Sequence, residues 1–87
     1  MFVVVSRQAL IDSRFSTVVC APVYTRRDGL ASQVDVGVDE GLRQECCIHC
    51  DALVSLSKSV LTDFVGSLGP ARVRALDQAL RVALALA

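Results

Sequence analysis

Most of the side chains able to do chemistry in this sequence stand together, in the run Cys46-Cys47-Ile48-His49-Cys50-Asp51. His49 and Asp51 are two residues apart. On a strand that spacing puts both side chains on one face, about 7 Å apart, where an imidazole and a carboxylate can share proton transfer near neutral pH. Spacing alone leaves the plainer alternative open: a surface histidine followed by an aspartate that merely ends a strand. The cysteines suggest zinc, but the same alternation divides them. Cys47 and His49 fall on one face and Cys46 and Cys50 on the other, whereas a tetrahedral site needs four converging ligands. The sequence holds no second Cys/His pair, so no metal is expected. A Cys47–His49 nucleophile pair lacks an orienting group and an oxyanion hole.

A second cluster, Arg26-Arg27-Asp28-Gly29, follows directly on Thr25. Two guanidinium groups beside a hydroxyl can grip phosphate oxygens; a solvated hairpin tip is the alternative. Overall charge gives no wider support for nucleic-acid binding, because nine basic and nine acidic residues cancel and any such contact must be local. Hydrophobic residues make up 53% of the chain, which excludes disorder of the charged, apolar-poor kind. No apolar run approaches the roughly 20 residues that span a bilayer. Met1 to Val5 lacks a basic n-region, so a signal peptide is not expected. The sequence reads as a soluble, cytoplasmic protein with no membrane contact, its four cysteines reduced. At 87 residues it is one domain, 1–87, whose thin core buries only roughly 60–65% of the unfolded surface and leaves room for a partner.

The elements that must position these groups follow from local pattern. Phe2 to Val5 is a short β-branched run, and Gln8 to Ser16 reads as a loop or a turn of helix. Thr17 to Tyr24 is the strongest strand, with Pro22 marking an edge or bulge because it cannot donate to a ladder. Gln33 to Val38 alternates with period two, placing Val34, Val36 and Val38 on one face. Glu45 to Asp51 reads as a strand, and Ala52 to Leu56 as its continuation or another. Ser57 can cap a short turn over Lys58 to Leu61, while Asp63 to Leu68 is ambiguous between helix and strand. Gly69-Pro70 opens a helix with proline at its first position. Val73, Leu76, Leu80, Ala83 and Leu84 share one face of it, and Arg72, Arg74, Asp77, Gln78 and Arg81 the other, with Asp77 four residues before Arg81. Strands first and one helix last predict an α+β domain with a small antiparallel sheet or barrel.

Four stretches, in order, resemble the MazF/PemK family of toxins. Val3-Val4-Val5-Ser6 followed by Asp12-Ser13-Arg14 is similar to the family's second strand and the loop after it. Thr17-Val18-Val19-Cys20-Ala21-Pro22-Val23-Tyr24-Thr25 is similar to its Thr-Val-x-Val-x-Pro-x-Thr strand. Gly41-Leu42, then Ile48-His49-Cys50-Asp51, then Leu56-Ser57-Lys58 resemble the stretch in which an aspartate precedes a turn. Gly66-Ser67-Leu68-Gly69-Pro70 through Leu76-Asp77-Gln78-Ala79-Leu80 resemble the closing strand and helix. The resemblance covers essentially the whole chain.

The resemblance implies a small SH3-like antiparallel β-barrel with a C-terminal helix, normally a homodimer, partnered by a cognate antitoxin through which DNA is bound. Such proteins cut single-stranded RNA at short sequences with no metal or other cofactor. The 2′-hydroxyl attacks the neighbouring phosphate, which restricts the reaction to RNA; a base, an acid and positive charge on the phosphate are required. Residue by residue, Asp51 matches the acid–base aspartate of the PemK branch, and His49 replaces that branch's arginine on the phosphate. Thr25 matches a threonine that supports catalysis in the MazF branch, with Tyr24 a rival for the position. Arg26, Arg27 and Arg14 are the expected RNA contacts.

The sequence also departs from the pattern. The family's opening strand hairpin and Gly-rich loop have no counterpart, Met1-Phe2 stands in place of an Arg-Pro pair, and Ala52 and Val54 stand where Gln and Arg are usual. Losing a phosphate-stabilising group typically costs ~10²–10³ in rate, so impaired activity is expected. With the first strand hairpin missing, Phe2 to Val5 is expected to have an open edge. Two alternatives follow: a catalytically dead member that still binds antitoxin, or a relative of the gyrase-poisoning toxins that share the fold. Nothing in Leu76 to Ala87 favours the latter.

Overall fold

The β-branched runs become the strands of an antiparallel sheet in the computed structural model, which describes residues 1–86. Strand β1 (Phe2–Val4) leads through one helical turn, α1 (Gln8–Ile11), into β2 (Thr17–Tyr24). Strands β3 (Gln33–Val36), β4 (Cys46–His49) and β5 (Val54–Ser57) follow, and helix α2 (Pro70–Ala83) packs last. Short 3-10 turns occupy Val38–Glu40, Cys50–Ala52 and Lys58–Val60.

Strand β2 is used on both edges. Along one edge lies β1, with Phe2 opposite Pro22 and Val4 opposite Cys20. Along the other lies β5 from Thr17 to Cys20, and then β4 at Val23 and Tyr24. The Val5 N–H donates to the Val19 carbonyl and the Val23 N–H to the Met1 carbonyl, each at 2.9 Å. Odd-numbered residues of β2 therefore bond β1, and even-numbered ones face the other edge. Pro22, with no N–H to offer, falls where that second edge passes from β5 to β4. The expected edge or bulge is such a gap, and the 3-10 turn at Cys50–Ala52 carries the chain across it. The strand order β1-β2-β4-β3 is an open path, with β5 also on β2. No ladder joins β1 to β3 among the described residues, so the sheet is not closed into a barrel.

One face of this sheet is the core. Ala21, Val23, Val34, Val36, Cys46 and Ile48 meet Leu76 and Ala79 of α2. The helical stripe is narrower than the sequence suggests: Val73 and Leu84 are exposed, Leu80 and Ala83 are half-buried, and Ala79 is the second fully inward residue. Asp77 and Arg81 form no ion pair among the described residues. Two strand expectations are also shortened. Val38 is 70% exposed because the alternation stops at Gly37, where the chain turns into a 3-10 helix. Strand β4 ends at His49 rather than Asp51. Residues 61–69 hold no regular element.

Two local devices fix the connections. Gly41 adopts φ 93°, and a Cβ there would lie 2.6 Å from the Val65 carbonyl, while one at Gly66 would run into the Glu40 carbonyl. Backbone thus crosses backbone with no room for side chains. The Lys58 ammonium donates to the carbonyls of Leu10 (2.9 Å) and Ser13 (2.8 Å), holding the end of α1, and the Ser57 hydroxyl caps the turn at Ser59 N. Ile48 is fully buried, so Ile48→Ala should lower the unfolding free energy by about 2–5 kcal/mol. Val38→Ala, at a position that periodicity turned inward but the fold exposes, should change it by less than about 0.5 kcal/mol. Urea denaturation of the two variants measures the contrast.

Candidate active site

Opposite the core face, the β3–β4 ladder presents polar side chains. Its register sets Gln33 beside His49 and Asp35 beside Cys47, while Tyr24 of β2 pairs with Cys47 from the other side. Alternation sends Val34, Val36, Cys46 and Ile48 to the core and leaves Gln33, Asp35, Cys47 and His49 on the second face. The loop from Thr25 to Ala31 folds over that face, and this is why His49, only 5% exposed, is buried among polar partners.

The loop is pinned by a small network. The Gln33 side-chain oxygen accepts the Asp28 N–H (3.0 Å), and the Gln33 amide donates to the Asp28 carboxylate (3.1 Å). The same amide lies 3.3 Å from His49 Nδ1, and His49 Nε2 lies 2.9 Å from the Arg26 carbonyl. A carbonyl oxygen only accepts, so Nε2 carries the proton and the neutral ring accepts from Gln33 at Nδ1. The Tyr24 ring meets the imidazole edge-to-face at 5.1 Å. Arg27 reaches Asp35 (3.5 Å) and Glu45 (3.0 Å), and Arg26 pairs with Asp28 (3.2 Å).

Asp51 sits just beyond, on the 3-10 turn. Its carboxylate is exposed and accepts a hydrogen bond from the buried Ser32 hydroxyl, while Cys50 N–H donates to the Ser32 carbonyl at 3.1 Å. Because the strand alternation stops at His49, the two candidates do not share one extended face. No hydrogen bond or ion pair joins them among the described residues. Thr25 is exposed at the start of the loop, and Arg26 reaches His49 through its carbonyl. Arg14 is exposed on the α1–β2 connection, and among the described residues no bond joins it to this cluster. Ser32 and Gln33 are the groups that sequence reading missed. The polar odd positions of β3 hinted at a second face, but a register cannot be read from one strand.

Cys20, Cys46, Cys47 and Cys50 are free thiols. Burial pushes Cys50 up to about 11, with the neighbouring Asp51 charge and Cys47 adding to it. Burial, then the charge and hydrogen bond of Asp35, raise Cys47, and burial alone raises Cys20. These three are protonated at neutral pH and are poor nucleophiles. Among the described residues no group of three or more His, Cys, Asp or Glu side chains is placed to hold a metal.

An open antiparallel sheet with one docked C-terminal helix, and a polar cluster on the face away from that helix, define the class: a small α+β domain with its polar site on one face of the sheet. The family described as PemK-like, MazF-like toxin of type II toxin-antitoxin system matches residues 1–84, and the chain belongs to it. Among solved structures, the Mycobacterium tuberculosis toxin MazF-mt6 is similar at 27% identity and TM-score 0.92, over 99% of this chain and 86% of that one. An endoribonuclease in complex with its cognate antitoxin from Mycobacterial species is similar at 27% identity and TM-score 0.88, over 99% of this chain and 81% of that one. No curated protein matches. The chain is thus a MazF-like type II toxin, of a family of endoribonucleases. No helix among the described residues is long and apolar enough to cross a membrane.

The raised Cys50 thiol sets a sign for alkaline stability. Below pH 9.0, its ordinary value, the thiol is protonated folded and unfolded, and contributes nothing. Between there and about 11 the unfolded chain loses the proton first, so unfolding free energy falls as pH rises. Denaturant titrations from pH 8 to 10.5 should show that decline, with a shallower slope in Cys50→Ala.

Proposed function

We propose that this chain is a metal-independent endoribonuclease that cleaves single-stranded RNA at short specific sequences, with Asp51 and His49 as its acid–base pair. The observation that carries the reading is an exposed carboxylate, held from behind by buried Ser32, two residues along the chain from an imidazole under an arginine-bearing loop. Asp51 takes the proton of a ribose 2′-hydroxyl as that oxygen bonds to the adjacent phosphorus. The bond from phosphorus to the 5′ oxygen breaks, and the leaving oxygen takes the Nε2 proton of His49, which acts as an acid once its ring has gained a second proton at Nδ1 in place of the Gln33 hydrogen bond, giving a cyclic phosphate and a free 5′-hydroxyl. His49 reaches that oxygen once RNA displaces the Arg26 carbonyl. Thr25 donates to the phosphate, and Arg26, Arg27 and Arg14 hold the flanking backbone. Arg26 is the most available of the loop pair, since Arg27 must first leave Asp35 and Glu45.

The family supports the remaining assignments: a cognate antitoxin as protein partner, a homodimer, an intracellular setting and no cofactor. The division of the β2 edge between β5 and β4 supports an SH3-like order of strands in a sheet that stays open among the described residues. One observation favours a second reading. Both ring nitrogens of His49 are engaged in the protein's own bonds, which suits a family member that binds antitoxin without cutting RNA.

Incubation of the folded chain with single-stranded RNA in EDTA, beside a matched DNA, separates the two. The nuclease reading expects cleavage of RNA alone, falling about 10²–10⁴-fold in Asp51→Ala and His49→Ala. No cleavage from a sample whose circular dichroism is that of the folded protein overturns it in favour of the second reading.

A further inference from the structure

The Gln33 side-chain amide has its orientation fixed by two groups of opposite character. The Asp28 N–H, which only donates, lies 3.0 Å from Oε1, and the Asp28 carboxylate, an acceptor, lies 3.1 Å from Nε2. The second hydrogen on Nε2 is left to His49 Nδ1, 3.3 Å away, which must accept it. From the other side the Arg26 carbonyl accepts from His49 Nε2. The ring is thus held neutral twice over, and the pinned loop leaves no place for a proton on Nδ1.

A second ring proton sets an N–H against the Gln33 NH₂, donor against donor. Turning the amide over relieves this, with Oε1 accepting from Nδ1, but both bonds to Asp28 are lost. The NH₂ group then faces the Asp28 N–H, and Oε1 faces the carboxylate. Among the described residues, the other hydrogen bonds and ion pairs that tie residues 26–29 to the sheet are the His49 bond to the Arg26 carbonyl and the pairs of Arg27 with Asp35 and Glu45. The Arg27 pairs are solvent-exposed and weak. The His49 bond survives, because Nε2 keeps its hydrogen, so the loop is freed at Asp28 and hinges at Arg26.

The other ionisable groups around the ring are already engaged. Tyr24 of β2 meets it edge-to-face, and Cys47 of β4, raised by burial and by Asp35, stays a neutral thiol 3.8 Å from Gln33 Oε1. The carboxylates of Asp35 and Asp51 are taken up by Arg27 and Ser32, and Arg26 pairs with Asp28.

We propose that Gln33 is a positioning residue that works as a proton-operated latch: the loop is pinned while His49 carries one ring proton and released at Asp28 when it carries two. By linkage, an open loop favours the second proton as strongly as that proton favours opening. Falling pH opens the loop and rising pH closes it. Only the purpose of the latch rests on the nuclease reading, in which the state that makes His49 an acid is also the state in which the arginine loop moves aside.

His49 is the sequence's one histidine, so ¹⁵N NMR of the chain alone, without RNA, assigns its ring nitrogens directly. On the high-pH side of the ring's titration Nε2 should carry the hydrogen, and the backbone of Asp28 and Gly29 should be ordered. In step with the ring signals, the order parameters of those two residues should fall from about 0.85 to about 0.6 or lower, while Arg26 keeps its value. Asp28→Asn keeps an acceptor for the Gln33 amide and removes the loop's own titrating carboxylate; it should loosen over the same pH range as the ring. Gln33→Leu should leave Asp28 and Gly29 mobile on both sides of the titration. The latch is overturned by order parameters that stay level as the ring titrates, or by a ring that stays neutral until the chain unfolds. A hydrogen on Nδ1 at high pH, loosening absent from Asp28→Asn, or a pH response that persists in Gln33→Leu also overturns it. None of these readouts involves cleavage, so the latch and the nuclease reading fail separately.

Discussion

The fold rests on one strand being shared. With β1 along one edge of β2 and β5 then β4 along the other, removing β2 would leave β1 and β5 without a ladder partner and β4 with β3 alone. The division of the second edge requires a residue that does not need a partner where the partners change, and Pro22 is that residue. A substituent with an N–H there would face a gap in the ladder, and an unmet buried donor costs about 1–3 kcal/mol. The chemistry of one imino acid thus permits the 3-10 turn that carries Asp51.

The two faces of the β3–β4 ladder are stabilised by different physics. On the core face aliphatic residues are removed from water against α2, a gain that grows with area and tolerates approximate shapes. On the other face buried polar groups must each find a partner, and they do: among the described residues, no buried side-chain nitrogen or oxygen lacks one. Such a network is cooperative, and disturbing one member strands the others. Gln33 is central, since its amide serves both Asp28 and His49. The ion pairs of Arg26 and Arg27 are solvent-exposed and add little, of order 0–1 kcal/mol each.

Much of the fold was legible because it is local. Thr17 to Tyr24 forms β2 with the limits its β-branched run suggests, Pro70 opens α2, and Ser57 caps the turn after β5. What was not legible depends on distant partners. The inward role of Ala79 in place of Val73 reflects where α2 lies on the sheet, and Val38 turns outward because the chain reverses at Gly37. The site divides in the same way. His49 and Asp51 were visible as residue types, but their environments come from Gln33 and Ser32, more than fifteen residues earlier in the chain. Which face of a strand a loop will cover cannot be read from the strand.

Lys58 is the sequence's one lysine, and its ammonium is already committed to the carbonyls of Leu10 and Ser13. Any enzyme that tags, acetylates or ubiquitinates lysine side chains therefore has a single address on this molecule, and that address is a structural clasp. Acylation there removes the charge and most of its donor capacity, releasing the end of α1 and the segment that leads into β2. The one ε-amine open to such chemistry is thus also a tie between α1 and the turn after β5.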